Sequence, residues 1–460
     1  MGETFIVTVI STLLALVSLV TLQPYIQNIL DHPVSLNPFS SINSICFTAL
    51  VITSVTLSAG LYPAMIMSGY QPVLAIKNKL NSVSFGGASL RRVLIVLQFI
   101  IAQGLIICTL VVIRQIQFYD NSSLGFNKNE IIAVPIPKDS ISRTRYGSFT
   151  QELLNMPGIE KVSLSYSAPA SQNAHTSDFN YNQNIKSENF ELNVRPADAQ
   201  YFETYQLKLA YGRFYRPADT ASEMVVNETF VRKLGIHKQD VLNKFIILND
   251  KKITIVGVLK DFHQTSLRNA IVPIGIMPDK NTYRIAGIKL KPGNIPNTIK
   301  RITQLYSKEF PNDAFEFSFL NETIDKFYKQ EQHLVQLFKL FAIIGIFISC
   351  IGLYGLILFM TVQRIKEVGL RKVLGATELS IVFLFFREFI GLITIAFVLS
   401  ASVTWYLMNA WLNNFAYHTS ISFWMILVVG LCSLVVTLLT VSIRTIRAAM
   451  SNPVDSIRMD

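Results

Sequence analysis

Six stretches of this chain are apolar enough and long enough to cross a bilayer as helices: about 5–22, 42–62, 93–113, 337–360, 384–408 and 421–443. A hydrocarbon core of about 30 Å takes roughly 20 helical residues, and the first run is the shortest of the six. Half of the residues are hydrophobic and the mean hydropathy is +0.38, which leaves room for one sizeable soluble insertion, 114–336. Cys46, Cys108, Cys350 and Cys432 all fall inside apolar runs, so they read as packing residues and not as a disulfide framework. The start, Met1-Gly2-Glu3-Thr4, lacks a basic region, and no cleavable leader is expected.

Charge sets an orientation. Lys77, Lys79, Arg91 and Arg92 lie between the second and third runs, Arg364–Lys372 between the fourth and fifth, and Arg444, Arg447 and Arg458 after the sixth. All three basic clusters share one side if both termini are cytoplasmic, because cytoplasmic loops carry the excess of Lys and Arg. The segment 114–336 is then extracytoplasmic, with loops 23–41 and 409–420. This topology accounts for the net charge of +11, and no aromatic-basic nucleic-acid module is visible.

The basic cluster between the fourth and fifth runs reads RIKEVGLRKVLGAT, Arg364 to Thr377. Arg364, Lys366, Arg371 and Lys372 supply its cations, and Glu367 stands three residues after Arg364 and four before Arg371. That spacing predicts a short helix with an ion-paired face, stopped at Gly375. Taken by itself, such a segment also fits a solvated turn whose cations anchor two helices at the interface.

The pattern R-x-K-E-x-G-x-R-K-x-x-G-A-T, with Ala376 and Thr377 closing it, resembles the signature loop of MacB/FtsX-type ABC transporter permeases. The resemblance implies that Arg364, Glu367, Gly369, Arg371, Lys372, Gly375, Ala376 and Thr377 form a coupling loop that rests on a cytoplasmic ATPase. Arg387 and Glu388 follow near the start of the fifth run. Adjacent on a helix, they do not face one another. Arg387 reads as snorkelling at the interface, and Glu388 either does the same or is a partner for the basic loop.

An internal repeat is expected as well. Gln71-Pro72-Val73-Leu74-Ala75-Ile76-Lys77 parallels Asn452-Pro453-Val454-Asp455-Ser456-Ile457-Arg458. Residues 1–77 therefore read as the tail of a first FtsX-like repeat with two spans, and 78–92 as a cytoplasmic linker. The span 93–113, the core-like domain 114–336, the three-span permease domain 337–443 and the tail 444–460 read as a complete second copy. On this reading the chain is a truncated permease whose fuller relatives carry two copies. Gln98 and Gln103, inside the third run, are expected to form interhelical hydrogen bonds.

The soluble segment mixes strands and helices. Ile131–Val134 and Val162–Tyr166 read as strands with a helix over 144–155 between them. Met224–Val226 leads into a helix capped by Asn227 and closed at Gly235. Phe245–Leu248 and Ile253–Leu259 flank Asn249-Asp250-Lys251-Lys252 as a hairpin. An α+β domain, with two lobes, is expected. The runs from Val226 to Gly235 and from Gly257 to His263 also resemble the MacB periplasmic core domain. From Phe319 to Leu340 an amphipathic helix runs into the fourth span with no Gly or Pro to interrupt it.

No G-x-x-x-x-G-K-[ST] loop occurs, no H-E-x-x-H or Cys/His cluster points to a metal, and no serine sits in a nucleophile elbow. His263, beside Asp261, reads as part of a surface turn. Lys339, Arg387 and Glu388 near the ends of the last three runs are too few to line a polar conduit, which favours mechanical transmission over channel-like passage.

The resemblance thus implies an α-helical, multi-pass protein of the bacterial inner membrane. It would be a non-catalytic permease subunit without a cofactor of its own, working with an ATPase that carries ATP and Mg. It implies a second permease copy as a homodimer, membrane lipid around it, a periplasmic or outer-membrane partner, and no nucleic acid. Export or extraction of a peptide, lipoprotein or drug is the function expected. The alternatives are regulation of a periplasmic cell-wall hydrolase and sensing of antimicrobial peptides.

Overall fold

The structure is a computed structural model. It describes residues 2–30, 41–68, 85–171, 175–182, 184, 186–363, 367, 370–371 and 374–449. The chain divides into two compact units, 1–106 with 333–401 and 427–460, and 107–332 with 402–426.

In chain order, α1 (Gly2–Leu30), α2 (Ile42–Ser68) and α3 (Phe85–Asn121) come first. Then follow β1 (Ile131–Pro135), α4 (Ser140–Thr144), α5 (Tyr146–Leu154), β2 (Ile159–Ser165), β3 (His175–Ser177), β4 (Asn180–Tyr181), β5 (Leu192–Pro196), α6 (Tyr201–Thr204) and β6 (Leu209–Gly212). Next are β7 (Glu223–Asn227), α7 (Glu228–Leu234), β8 (Phe245–Leu248), β9 (Lys251–Leu259), β10 (Ile274–Met277), β11 (Ile285–Leu290), α8 (Ile295–Glu309) and β12 (Ser318–Phe319). The chain returns through α9 (Leu320–Asp325) to α10 (Lys329–Gln363), α11 (Glu378–Leu412) and α12 (Phe423–Ala449).

Among the described residues six helices are long and apolar enough to cross a membrane: α1, α2, α3, α10, α11 and α12. Only 6% of the apolar window of α1 or α2 is buried, against 44% for α3, and that difference makes α3 the hub of the helical unit. On α3, Ala102 lies against Gly345 and Gln98 against Gly352, while Arg91 stacks over Phe359. Rising numbers on α3 thus meet falling numbers on α10, so the two helices run antiparallel. Small residues let their backbones approach closely, as membrane helix pairs require. On the other helices, Ser400 donates to the Ile100 carbonyl at 2.9 Å, and Gln103 Nε2 donates to Ser433 Oγ at 2.8 Å. Ile95, Phe99, Leu353, Ile357, Phe389, Ile393 and Val441 close the centre of the unit.

The soluble unit is α+β with two sheets. One is antiparallel, in the order β12-β1-β11-β2. Its alternate residues Ile132, Val134, Ile288 and Leu290 are buried with Phe149 and Leu153 of α5 and Ile302 and Leu305 of α8. The other sheet has eight strands in the order β3-β5-β10-β7-β9-β8-β4, with β6 on β9. It is mixed, parallel at β5/β10 and β7/β9, and α7 packs Phe230 and Val231 against Val226, Ile255 and Val258.

The helix expected over 144–155 is α5, and a separate short helix, α4, precedes it, its start capped by Asp139, which accepts from Ser142 N at 2.9 Å. Two expectations are corrected. The hairpin turn is tighter: Leu248 pairs with Lys251, and Asn249 and Asp250 alone turn the chain, both at positive φ. The helix expected to run unbroken from Phe319 is interrupted by a 3-10 turn at Lys326–Tyr328, where Ile324 and Tyr328 are drawn into the core.

Candidate functional site

The loop between α10 and α11 is described at Glu367, Leu370, Arg371 and Leu374–Thr377. Arg364, Lys366, Gly369 and Lys372, named from the sequence, lie outside the described residues. Glu367 and Arg371 pair at 2.8 Å one turn apart, as the spacing predicts. The Leu374 amide donates to the Leu370 carbonyl at 3.0 Å and the Ala376 amide to the Arg371 carbonyl at 2.9 Å. Gly375 sits between them at φ +90, a conformation that a side chain disfavours. Thr377 Oγ1 then accepts from Ser380 N at 3.3 Å and caps α11. The Gly-Ala-Thr triplet is therefore one device, which ends a helical turn and starts the next helix within three residues.

Two residues of this loop escaped the sequence reading. Leu370 is 61% and Leu374 78% exposed, one helical turn apart, beside the Glu367–Arg371 pair. An apolar residue in a charged loop is easily taken for the tail of the neighbouring span, and only its exposure marks it out. Glu388, for which the sequence leaves interfacial placement and partnership with the loop as the two readings, has Arg92 Nη2 of α3 at 3.9 Å.

Residues 93–305 match the family model described as the MacB-like periplasmic core domain, and residues 339–453 match the one described as the FtsX-like permease C-terminal. This chain is an ABC transporter permease of the MacB/FtsX type. It is similar to the macrolide export ATP-binding/permease protein MacB of Aggregatibacter actinomycetemcomitans, 27% identical over 202 residues, which are 41% of this chain and 31% of that protein. It also resembles the protein of that name from Haemophilus ducreyi (strain 35000HP / ATCC 700724), 26% identical over 200 residues, 41% of this chain and 29% of the relative. The chain spans about a third of the length of these relatives. It aligns with the crystal structure of the periplasmic region of MacB from Actinobacillus actinomycetemcomitans over 43% of this chain and 92% of that one, with 16% identity and a TM-score of 0.32.

In this MacB/FtsX-type permease the two motif runs of the soluble unit meet at one polar node. Asn227 Oδ1 accepts from Phe230 N at 3.1 Å and Ile274 N at 3.0 Å, and its Nδ2 donates to Asp261 Oδ1 and the Val272 carbonyl, each at 3.0 Å. All four hydrogen-bonding places of a fully buried amide are thereby used. Asp261 also accepts from Thr229 N, Thr229 Oγ1 and Arg232 at 2.8–3.0 Å. The node ties β7, α7, the loop after β9 and β10 together.

Residues 402–426 belong to the soluble unit, and the turn from α11 to α12 is built into its base. Gln115, fully buried near the end of α3, accepts from Thr419 N at 2.8 Å and donates to the Tyr417 carbonyl at 3.1 Å. Ala416 N donates to the Arg268 carbonyl at 2.9 Å. The Arg268 guanidinium covers the Phe415 ring at 5.1 Å and lies 3.7 Å from Glu331. Tyr119 stacks on Tyr328 with ring centres 4.5 Å apart. His263 meets Tyr417 edge-on at 4.8 Å, which corrects its reading as a surface turn. Burial lowers its pKa against the opposing charge of Asp261, so the imidazole is neutral at pH 7. The partner lies some 150 residues downstream, beyond the reach of any local pattern.

Proposed function

We propose that this permease couples a cytoplasmic ATPase on a separate chain, with its ATP and Mg, to movement of the extracytoplasmic soluble unit. The ATPase docks on the loop 364–377, both chain termini lie on that side, and a second permease copy completes the complex. The observation that carries this reading is the exposed Leu370–Leu374 pair beside the Glu367–Arg371 ion pair. Apolar side chains so exposed in a charged loop suit a protein partner better than water. Helix α10 leads from this loop through the bilayer to Lys329 without interruption. The closed apolar centre of the helical unit favours mechanical transmission over a conduit. The relatives named for macrolide export make drug or peptide export the class of work we assign to it.

The experiment is co-purification of a tagged cognate ATPase with the full chain from gently solubilised membranes. Wild type is expected to retain the ATPase, and Leu374→Asp, or Glu367→Lys with Arg371→Glu, is expected to release most of it while the permease stays folded. Full retention by both variants would place the docking surface elsewhere.

A further inference from the structure

The outer flank of the α3–α10 pair carries a cleft of about 240 Å³ lined by Arg91, Leu94, Ile95, Gln98, Gly352, Gly355 and Leu356. We propose that it is a binding site for one anionic glycerophospholipid, taken from the leaflet at the Arg91 end of α3.

The cleft is ordered along its length as such a lipid is. At one end stands the Arg91 guanidinium, held 4.0 Å over the Phe359 ring. Arg92, the next residue on α3, is not part of the lining and has Glu388 at 3.9 Å, so the end of the cleft keeps the positive charge of Arg91. Basic pockets between membrane helices at this depth select anionic headgroups.

Gln98 lies seven residues further along α3, about 10 Å at the rise of a helix. That is the step from phosphate to glycerol esters and upper acyl chain. Its Oε1 is buried and has no hydrogen-bond partner among the described residues. A buried amide in lipid must find a partner, and rotation of this one offers its NH2 to an ester carbonyl. Leu94, Ile95 and Leu356 supply apolar walls for the chain. The flank looks outward, since Leu94 and Ile351 are each half exposed or more.

Glycine makes the space. A Cβ on Gly352 would collide with the Gln98 amide, whereas a Cβ on Gly355 would meet nothing within 4 Å. A side chain at 355 therefore enters the cleft itself.

The test is native mass spectrometry of the full chain in detergent with dioleoyl phosphatidylglycerol or dioleoyl phosphatidylcholine added. Wild type is expected to keep one phosphatidylglycerol per chain under conditions that strip phosphatidylcholine. Gly355→Phe, which fills the cleft, and Arg91→Gln, which adds no bulk, should each weaken retention about tenfold. Gly391→Phe, on α11 where a Cβ also meets open space, should leave it unchanged. Equal retention of the two lipids by wild type would overturn the proposal, as would wild-type retention by both Gly355→Phe and Arg91→Gln. If oxidation joins Gly355→Cys chains to one another and expels the lipid, the cleft is an interface between copies and the lipid site is wrong.

Discussion

Gln115 holds Thr419 by the backbone: its Oε1 accepts from the Thr419 amide at 2.8 Å while its Nε2 donates two residues earlier, to the Tyr417 carbonyl at 3.1 Å. One side chain thus fixes a turn some 300 residues downstream. Replacing it with leucine strands a donor and an acceptor, each costing about 1–3 kcal/mol when buried, with water recovering part of that at this half-exposed turn. Gln115→Leu should therefore loosen the turn by about 2 kcal/mol. Amide hydrogen exchange at 415–419 is the measurement. About tenfold faster exchange in the leucine variant is expected, and unchanged exchange would show that the clamp does not hold the turn.

What the sequence reveals and what it hides divide along the range of the interaction. The cap at Asn227, the stop at Gly235, the break at Gly375 and the Glu367–Arg371 pair are settled within four residues, and each is visible in the local pattern. Gln115 is hidden because its partners are backbone atoms far along the chain, and because it lies just past the apolar run expected to end at 113. His263 is hidden for the same reason, its partner being Tyr417. The 3-10 turn at Lys326–Tyr328 has neither Gly nor Pro to announce it. It arises where Ile324 and Tyr328 are both pulled into the core, which is a tertiary effect overriding a regular helical pattern.

The Asn227–Asp261 node offers a second test. Asp261→Ala removes the acceptors for Asn227 Nδ2, Thr229 N and Thr229 Oγ1. The cost should be about 2–4 kcal/mol, as for several partly buried polar groups left unpaired at once. Asp261→Asn keeps one acceptor oxygen and should cost about half as much. Thermal unfolding of the full chain, followed through the soluble unit, reads both, and equal midpoints for wild type and Asp261→Ala would remove the node from the account of stability.

Asp198 gives the pH dependence a definite sign. Its carboxylate accepts from Ser163 Oγ and Leu164 N, each at 2.8 Å. Burial outweighs these bonds and raises its pKa from 3.8 to about 6. Between those values the folded chain holds a proton that the unfolded chain has released. The contribution of Asp198 is therefore greatest below about pH 4, falls as pH rises to about 6 and is constant above that. The total is about 2–3 kcal/mol. Glu223, whose pKa is lowered by its hydrogen bond with Arg213, acts in the opposite sense, so the readout is the difference between wild type and Asp198→Asn. The Ser163 hydroxyl can turn to accept from the new amide while the amide oxygen keeps Leu164 N. Relative to wild type, Asp198→Asn should gain stability steadily from pH 4 to pH 6 and no further. A flat difference would mean that Asp198 titrates at its ordinary value.

The loop prediction rests on two glycines that differ in backbone and not in crowding. Neither Gly375 nor Gly391 has an atom within 4 Å of the place a Cβ would take, but Gly375 stands at φ +90 and Gly391 lies within α11. A methyl group at 375 must be carried in a left-handed conformation, at about 1–2 kcal/mol, or else the helical turn before it runs on and displaces Leu374. A methyl group at 391 only restricts the unfolded chain and should stabilise α11 by about 0.5–1 kcal/mol. Gly375→Ala should therefore lower ATPase retention in the co-purification assay, with a small loss of thermal stability, and Gly391→Ala should leave retention intact. Thr377→Val, which removes the cap on α11 at about 1 kcal/mol, should fall between them. If Gly375→Ala retains the ATPase as wild type does, the left-handed break does not shape the docking surface, and the exposed leucines must be presented by some other constraint.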